Sequence, residues 1–355
     1  MKRTQNSTRI RDFELLNKQS PLGNFFQSRD FYEALNLANQ HPFFVTTSER
    51  ELSGGLLAYT LDAPLFIPRI FPSLMVYYGP VLAENPSPNT LSTLLRNLDS
   101  EARKRGALRV DIRTPFPPFT LNDVFLKNGY TRFDPGGEYS AIIDLAKDEN
   151  TLWKEMKRSS RRAIKKAIQR NVEIKEVANY QDLRSFYQIY LNLAQRRHFV
   201  PRSFNLFDAL KSKLQPKGTT KFFLAWHGEK PIAGILNVIY NGQSIPFIAA
   251  SLKDYWKLFP NHLLFWHSIR WSKIKAKAQT YKLYHLPKVE YHKYGANYHP
   301  FKTGFGGDLI RECSFYYKNI SPLKLQLLEK VSRLLRVANV REILRAVEVR
   351  RKLKT

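Results

Sequence analysis

The sequence predicts a mixed fold, α+β (α/β mixed), built as two similar halves with a basic helical tail. Helical and extended patterns alternate through Leu145, which is typical of a sheet flanked by helices. The same mixed order returns after residue 148 and indicates a duplicated fold. A further segment, 321–355, has apolar residues at helical spacing among many basic ones. The expected domains are therefore 1–147, 148–320 and 321–355.

The elements of the first half follow from residue spacing and turn residues. Ser28 is a candidate N-cap of one helix, and Gly106 is expected to close another as its C-cap. The apolar stripe of that second helix predicts a face packed against a sheet. The expected helices are 24–40, 89–105 and 121–128, and the expected strands are 43–47, 52–59, 75–78, 108–113 and 140–145.

The second half begins with one long expected helix, 152–169, which is apolar on one side and basic on the other. A hairpin follows further along, because HGEK at 227–230 can form the turn between two extended segments. The remaining expected elements are helices at 180–197 and 261–278 and strands at 221–226, 231–240, 245–250 and 281–286.

The balance of charge points to a polyanionic partner. The chain has 57 Lys and Arg residues against 30 Asp and Glu, a formal net charge of +27, and 43% of its residues are hydrophobic. That apolar fraction excludes wholesale disorder, and folding does not need so large a charge. Most of the excess lies in 151–171, 257–302 and 321–355. Nucleic acid, a phosphate-bearing substrate and an anionic membrane face are the partners that such charge fits.

The expected location is the cytoplasm. A single cysteine, Cys313, cannot form an internal disulfide, which favours a reducing compartment. The N-terminus has no apolar stretch of the signal-peptide type. The most apolar window, 61–82, contains Arg69 and several prolines and is therefore not expected to span a membrane. Peripheral contact at the inner face of the membrane stays open.

Several common catalytic motifs are absent from the sequence. It has no P-loop, no GxGxxG after a strand and no GxSxG, which argues against ATP hydrolysis, dinucleotide chemistry and a serine nucleophile. His285, His292 and His299 cluster in sequence, but no thiol or carboxylate has the spacing of a zinc ligand. Neither a metal nor an organic cofactor is expected.

The most unusual string is FKTGFGGD at 301–308. Three glycines in four positions after a lysine permit left-handed backbone and close approach of another group. Backbone N–H groups beside a cation suit a phosphate, a carboxylate or a developing oxyanion. A bulged turn with only a structural role explains the same letters.

FKTGFGGDL resembles the FKxGFGGE signature of the Fem-type (FemABX) peptidyltransferases, and the resemblance extends in order over residues 24–310. Further similar words are NFFQSRDF (24–31), ALRVDIR (107–113), LWKEMKRSSRRAIKKAIQRNVEI (152–174), FFLAWHGEKPIAGIL (222–236) and FPNHLLFWHSIRWSKIKA (259–276).

The resemblance implies two tandem GNAT-like acyltransferase domains, each a mixed sheet flanked by helices, plus the basic C-terminal helix. It also implies an aminoacyltransferase of cell-wall synthesis. Such enzymes move an amino acid from aminoacyl-tRNA to an amine on the stem peptide of a lipid-linked or nucleotide-linked muropeptide, forming the interpeptide bridge of peptidoglycan. Both partners are polyanions, which accounts for the charge.

Three residues take roles from this resemblance. Lys302 would be the cation near the acyl ester or its oxyanion, and Asp111 would contact the acceptor and help to deprotonate or orient its amine. Arg202 would bind acceptor phosphate. The wall of the substrate site would be formed by Phe301, Gly304, Phe305, Gly306 and Gly307.

The sequence departs from the family after its last core helix, where a YDxGG word is expected and Tyr284 is followed by HLPK. Two alternatives therefore stay open. One is an acyl-CoA-dependent N-acyltransferase of the GNAT superfamily acting on another amine, with 257–262 in the place of the loop that binds CoA pyrophosphate. The other is a non-catalytic module that binds RNA or a membrane.

Overall fold

A computed structural model describes residues 2–47, 52–61, 72–87, 89–115, 121–133, 138–286 and 298–326. Among these, the residues up to position 133 and those from Glu312 to position 326 form one compact unit, and Glu138–Arg311 form another. None of the described helices is long and apolar enough to cross a membrane.

The first unit is built around a mixed sheet. Its helices are α1 (Lys2–Gln19), α2 (Arg29–Leu37), α3 (Thr90–Lys104) and α4 (Asn122–Lys127), and its strands are β1 (Phe43–Thr46), β2 (Gly54–Thr60), β3 (Ser73–Tyr77), β4 (Val81–Leu82), β5 (Arg109–Thr114), β6 (Thr131–Arg132) and, from Glu312, the second part of β13 (Asp308–Asn319).

In this sheet β3 and β5 are the parallel neighbours, and they stay paired over five residues from Ser73↔Arg109 to Tyr77↔Arg113. The remaining neighbours are antiparallel: β1 with β2, β2 with β3, and β5 with β13. The leucines of α3 pack on this sheet together with Val45, Leu56 and Val76, and form the core. The apolar stripe predicted for α3 is confirmed.

The second unit is also a mixed sheet between helices. Its helices are α5 (Glu149–Glu155), α6 (Arg158–Gln169), α7 (Tyr180–Arg197), α8 (Phe204–Ala209), α9 (Pro260–Ile274) and α10 (Tyr298–Thr303), and its strands are β7 (Glu138–Asp144), β8 (Val172–Glu176), β9 (Thr220–His227), β10 (Lys230–Tyr240), β11 (Gln243–Ser251) and β12 (Thr280–Leu286).

The strand order here is β7-β12-β11-β10-β9-β8. Adjacent residues of β9 point to opposite faces of the sheet. The ring of Phe222 contacts Phe186 of α7, with centroids 5.3 Å apart, and the ring of Phe223 contacts Trp271 of α9 at 5.5 Å. Helices α7 and α9 therefore cover opposite faces. The parallel pair β11/β12 is joined only at Gln243↔Thr280 and Ser244↔Tyr281.

Several local predictions are confirmed. The side chain of Ser28 caps α2 by accepting a hydrogen bond from the backbone N–H of Phe31 at 3.1 Å. Gly106 follows the C-terminus of α3 with φ +65°. The helix predicted over 180–197 has those bounds, and the β9/β10 hairpin forms around HGEK.

The single helix predicted over 152–169 is wrong. The backbone is extended at Met156 and Lys157, so α5 ends and α6 begins anew. The Arg161 guanidinium donates to the carbonyls of Lys154 and Met156 at 2.7 and 2.5 Å, and the N–H of Lys157 donates to the carbonyl of Gly304 at 2.9 Å. These partners replace the helical hydrogen bonds that the break removes.

The boundaries of the compact units differ from the predicted domain boundaries. The second part of β13 pairs with β5 from Ser314 to Asn319 and therefore belongs to the first unit. The sequence domains 1–147, 148–320 and 321–355 stay a prediction. Some expectations fall outside the described part of the chain: the tail helix beyond position 326, the side chains of His285, His299 and Cys313, and the word at 287–297.

Candidate active site

In the second unit, β11 and β12 separate after a short paired stretch. After Ser244↔Tyr281 the two strands are no longer paired, although β11 continues to Ser251 and β12 to Leu286. The N-terminus of α9 lies at the far end of β11, where the side-chain amide of Asn261 donates to the hydroxyl of Ser251 at 2.9 Å. We call the region between the unpaired portions of the two strands the cleft.

Lys302 reaches the unpaired part of β12. It lies in α10, and its ammonium donates a hydrogen bond to the backbone carbonyl of Tyr284. Tyr284 is three positions beyond Tyr281, the last residue of β12 that pairs with β11. The half-buried ammonium therefore lies beside the open portion of the sheet, where it can stabilise negative charge on a reacting group.

The helix of Lys302 is anchored by aromatic rings. Phe301 packs edge-to-face on Phe265 of α9 at 5.2 Å, and Phe305 stacks on Phe265 at 5.5 Å. The imidazole of His262 lies 4.8 Å from the Phe301 ring. Burial among these rings lowers the pKa of His262 to about 4, so the imidazole is neutral at pH 7. The cluster fixes α10 against α9.

The glycine turn is part of the scaffold. The N–H groups of Gly304, Phe305 and Gly306 donate to the carbonyls of Phe301, Lys302 and Thr303, which closes the end of α10. Gly304 packs so closely that a Cβ there would lie 2.3 Å from the hydroxyl of Ser160. Gly306 and Gly307 have φ of +87° and +89°. The described contacts thus give the glycines a structural task at the break between α5 and α6.

Arg202 lies in the segment that connects α7 to α8. Its guanidinium carbon is 5.2 Å from the centroid of the Phe247 ring of β11. Its backbone is fixed at both polar groups: the N–H donates to the hydroxyl of Tyr190 at 3.0 Å, and the carbonyl accepts from the hydroxyl of Tyr187 at 2.9 Å. The tyrosines of α7 therefore position Arg202 over β11.

Asp111 belongs to the first unit. It lies in the middle of β5, and the Arg109 guanidinium binds its carboxylate at 2.6 and 2.8 Å. The same guanidinium covers the ring of Tyr317 at 4.2 Å. Burial raises the pKa of Asp111, and the charge and hydrogen bond of Arg109 oppose that rise. A carboxylate held in this way can accept a proton or bind an amine.

Lys302, the glycine turn and Arg202 all lie in the second unit. Lys302 contacts β12 and Arg202 contacts β11, whereas the glycine turn packs on β7 and on the break between α5 and α6. Sequence reasoning missed His262 and Arg109. The signal for Arg109 is its spacing of two from Asp111, which puts both side chains on one face of a strand. Among the described residues, no group of three or more His, Cys, Asp or Glu side chains could hold a metal ion.

Comparison with known proteins assigns the fold. Residues 154–299, within the second unit, match the family of acetyltransferase (GNAT) domains. No curated protein sequence matches the chain. Solved structures match over nearly the whole length. FemX has a TM-score of 0.67 at 14% identity, with 90% of this chain and 98% of FemX covered.

Two further structures have the same architecture. A tandem GNAT protein of the clavulanic acid biosynthesis pathway has a TM-score of 0.60 at 11% identity and covers 89% of this chain and 95% of its own. The C-terminal domain of a putative lysylphosphatidylglycerol synthetase from Agrobacterium fabrum has a TM-score of 0.54 at 14% identity and covers 93% and 96%.

The chain thus has a tandem GNAT-like fold of the kind that acyltransferases use. Residues 154–299 of its second unit match a GNAT acetyltransferase domain, and the fold is similar to that of FemX. The resemblance to the Fem-type enzymes is confirmed at the level of the fold, with low sequence identity.

Proposed function

We propose that this protein is an aminoacyltransferase that moves an amino acid from aminoacyl-tRNA to an amine on the stem peptide of a peptidoglycan precursor, lipid-linked or nucleotide-linked. The observation that carries the proposal is the cleft of the second unit, with Lys302 bound at the unpaired edge of β12. The likeness to FemX over 90% of the chain and the net charge of +27 support the same substrates.

The chemistry is aminolysis of an ester. The amine nitrogen attacks the ester carbonyl, the new C–N bond forms, and the C–O bond to the ribose breaks. The amine loses a proton, and the ribose oxygen leaves as a hydroxyl. Lys302 would stabilise the oxyanion, Asp111 would accept the proton or orient the amine, and Arg202 would bind acceptor phosphate.

The test is a transfer assay with total tRNA charged with radiolabelled amino acids and a lipid-linked or nucleotide-linked muropeptide. We expect label in the acceptor, abolished by ribonuclease. Lys302→Met should lower the rate about 10²- to 10³-fold, the loss typical of removing one oxyanion donor. Lys302→Arg keeps the charge, and exposed Lys213→Ala in the same unit is the matched control. No incorporation into any muropeptide contradicts the proposal.

The match of 154–299 to acetyltransferase domains supports a second candidate, an acyl-CoA-dependent N-acyltransferase acting on another amine. Release of free coenzyme A from acetyl-CoA on addition of an amine, measured with a thiol reagent, tests it. If neither donor supports transfer while RNA or anionic vesicles still bind, the chain is a non-catalytic binding module.

Peripheral contact with an anionic membrane stays part of the proposal, since a lipid-linked acceptor lies there and the segment 321–355 is basic. A chain that ends at Ile320 should lose binding to vesicles that contain an anionic phospholipid, measured by co-sedimentation. Unchanged sedimentation would remove the tail from this role.

A further inference from the structure

A basic surface with an exposed aromatic ring lies beside the cleft of the second unit. We call it the Trp256 surface; it consists of Lys166, Arg170, Arg196, Lys253, Trp256 and Lys257. Trp256 is 42% exposed, a large value for so apolar a ring. It belongs to a short 3₁₀ segment, Lys253–Leu258, directly before α9.

The indole of Trp256 is held in one orientation. Its Nε1 donates to the hydroxyl of Ser251 at 2.9 Å, and the guanidinium carbon of Arg196 lies 5.0 Å from its ring. Arg196 also donates to the backbone carbonyl of Ser251 at 3.2 Å. A fixed, accessible ring offers a stacking platform without the entropy cost of ordering it.

Cations continue from this ring onto α6. Arg170 donates to the backbone carbonyl of Lys257, and Arg170 and Lys166 lie 5.6 and 6.0 Å from the ring of Phe259. A cavity of about 510 Å³ adjoins this surface, and Arg196, Lys230 and Lys253 line it together with Asp254. The only carboxylate of the 3₁₀ segment is Asp254.

We propose that the Trp256 surface binds the single-stranded 3′ end of an RNA, with one base stacked on Trp256 and the phosphates bound by the surrounding lysines and arginines. A positive track with an aromatic platform is the combination that binds single strands with little sequence preference. The surface meets the cleft at Ser251, which contacts both Trp256 and Asn261. The inference rests on the proposed function, because it names where the RNA that carries the acyl group is bound.

The test is equilibrium binding of a fluorescein-labelled single-stranded RNA of 12 nucleotides, followed by anisotropy with the full-length protein. Trp256→Ala should weaken binding about 5- to 160-fold, the range for loss of one stacked base. Trp256→Phe keeps a ring and should stay within about 3-fold of the wild type. Equal affinity of Trp256→Ala and wild type overturns the proposal.

The salt dependence of RNA binding tests whether the lysines of the Trp256 surface contact phosphates. The double variant Lys253→Ala/Lys257→Ala should lower the slope of log K against log salt by about 1.4, since each phosphate contact of a single strand contributes about 0.7. Lys213→Ala/Lys275→Ala removes two exposed charges of the same unit and should leave the slope unchanged. Equal loss of slope in both double variants overturns the proposal, because charge alone would then explain binding.

Coenzyme A is the informative competitor, since it also has an adenine and phosphates. Trp256-dependent binding of coenzyme A without Trp256-dependent binding of RNA overturns the proposal in favour of a nucleotide cofactor. The outcomes distinguish failure of the proposed function from failure of the Trp256 surface. RNA binding that needs Trp256, in a chain that transfers no amino acid, keeps the surface and contradicts the transfer reaction. Transfer with an RNA affinity indifferent to Trp256 contradicts only the surface.

Discussion

Replacement of Gly307 by alanine should destabilise the second unit more than the same change at its neighbour Gly306. Both residues have similar left-handed backbone, with φ of +89° and +87°. An alanine Cβ at Gly307 would lie 2.6 Å from the carbonyl oxygen of Ile142, whereas at Gly306 the nearest atom, the carbonyl oxygen of Glu155, is 3.4 Å away. Only Gly307 therefore combines backbone strain with a steric overlap.

The magnitude follows from adding these two effects. A left-handed backbone costs a non-glycine residue about 1–2 kcal/mol, and this cost applies to both variants. Overpacking against the rigid backbone of β7 adds about 1–3 kcal/mol for Gly307→Ala alone. Gly218→Ala provides the reference, because Gly218 has φ +76° and no atom within 4 Å of the added Cβ. It should match Gly306→Ala.

Urea unfolding followed by tryptophan fluorescence is the suitable assay. All five tryptophans of the chain lie between positions 153 and 271 and so report on the second unit. With an m-value of about 2 kcal/mol/M, the extra cost at Gly307 lowers the midpoint by about 0.5–1.5 M relative to Gly306→Ala. Coincident midpoints would refute the packing argument. Loss of transfer at unchanged stability would then place Gly307 at the ligand instead.

Three further changes have defined outcomes. The ammonium of Lys318 donates to the buried carboxylate of Asp99 at 2.5 Å. Lys318→Met removes this partner and should lower the free energy of unfolding, followed by circular dichroism, by about 3–5 kcal/mol. A second change in the same chain, Asp99→Asn, should restore most of that loss. Gln27→Leu removes an amide that accepts from β2 and donates to β3, at 2.7 and 2.9 Å, and should cost about 2–4 kcal/mol in the same assay. The pKa of His262 is 6.5 in the unfolded chain and about 4 in the folded protein. The neutral imidazole therefore contributes fully to the free energy of unfolding above pH 6.5, and about 2–3 kcal/mol of that free energy is lost as the pH falls towards 4. His262→Phe should flatten that part of the stability profile in urea midpoints measured by tryptophan fluorescence.

Local signals predicted much of the fold. A serine before an apolar periodic run gave the start of α2, and a glycine after such a run gave the end of α3. The HGEK turn between two apolar segments gave the β9/β10 hairpin. Each of these elements depends on residues close together in the sequence.

The missed features depend on distant residues or on weak patterns. The break between α5 and α6 is fixed by the carbonyl of Gly304, nearly 150 positions from Lys157, and the amphipathic pattern runs through it without a signal. Helix α1 has few apolar residues, and its buried Phe13 and Leu16 become evident only from their packing. The edge strand β8 alternates charged with apolar residues over only five positions.

The glycine string shows how sequence alone left two interpretations of one motif. The letters allowed either a cradle of N–H groups or a structural turn, and the described N–H groups of Gly304, Phe305 and Gly306 end α10. Lys302 nevertheless reaches the unpaired edge of β12 because that turn fixes α10. The scaffold and the candidate catalytic group are thus adjacent parts of one short segment.

A change at Arg109 tests whether Asp111 acts as a proton acceptor. Arg109 opposes the effect of burial on the pKa of Asp111, so Arg109→Gln should raise that pKa further. If transfer needs the ionised carboxylate, the acid limb of the rate–pH profile must then move to higher pH, and in Asp111→Asn the limb must be absent. Circular dichroism provides the control for folding, because Arg109 also covers the ring of Tyr317. An acid limb that keeps its position in a folded Arg109→Gln variant would exclude Asp111 as the acceptor of the amine proton. Its carboxylate would then bind or orient the substrate without titrating in the reaction.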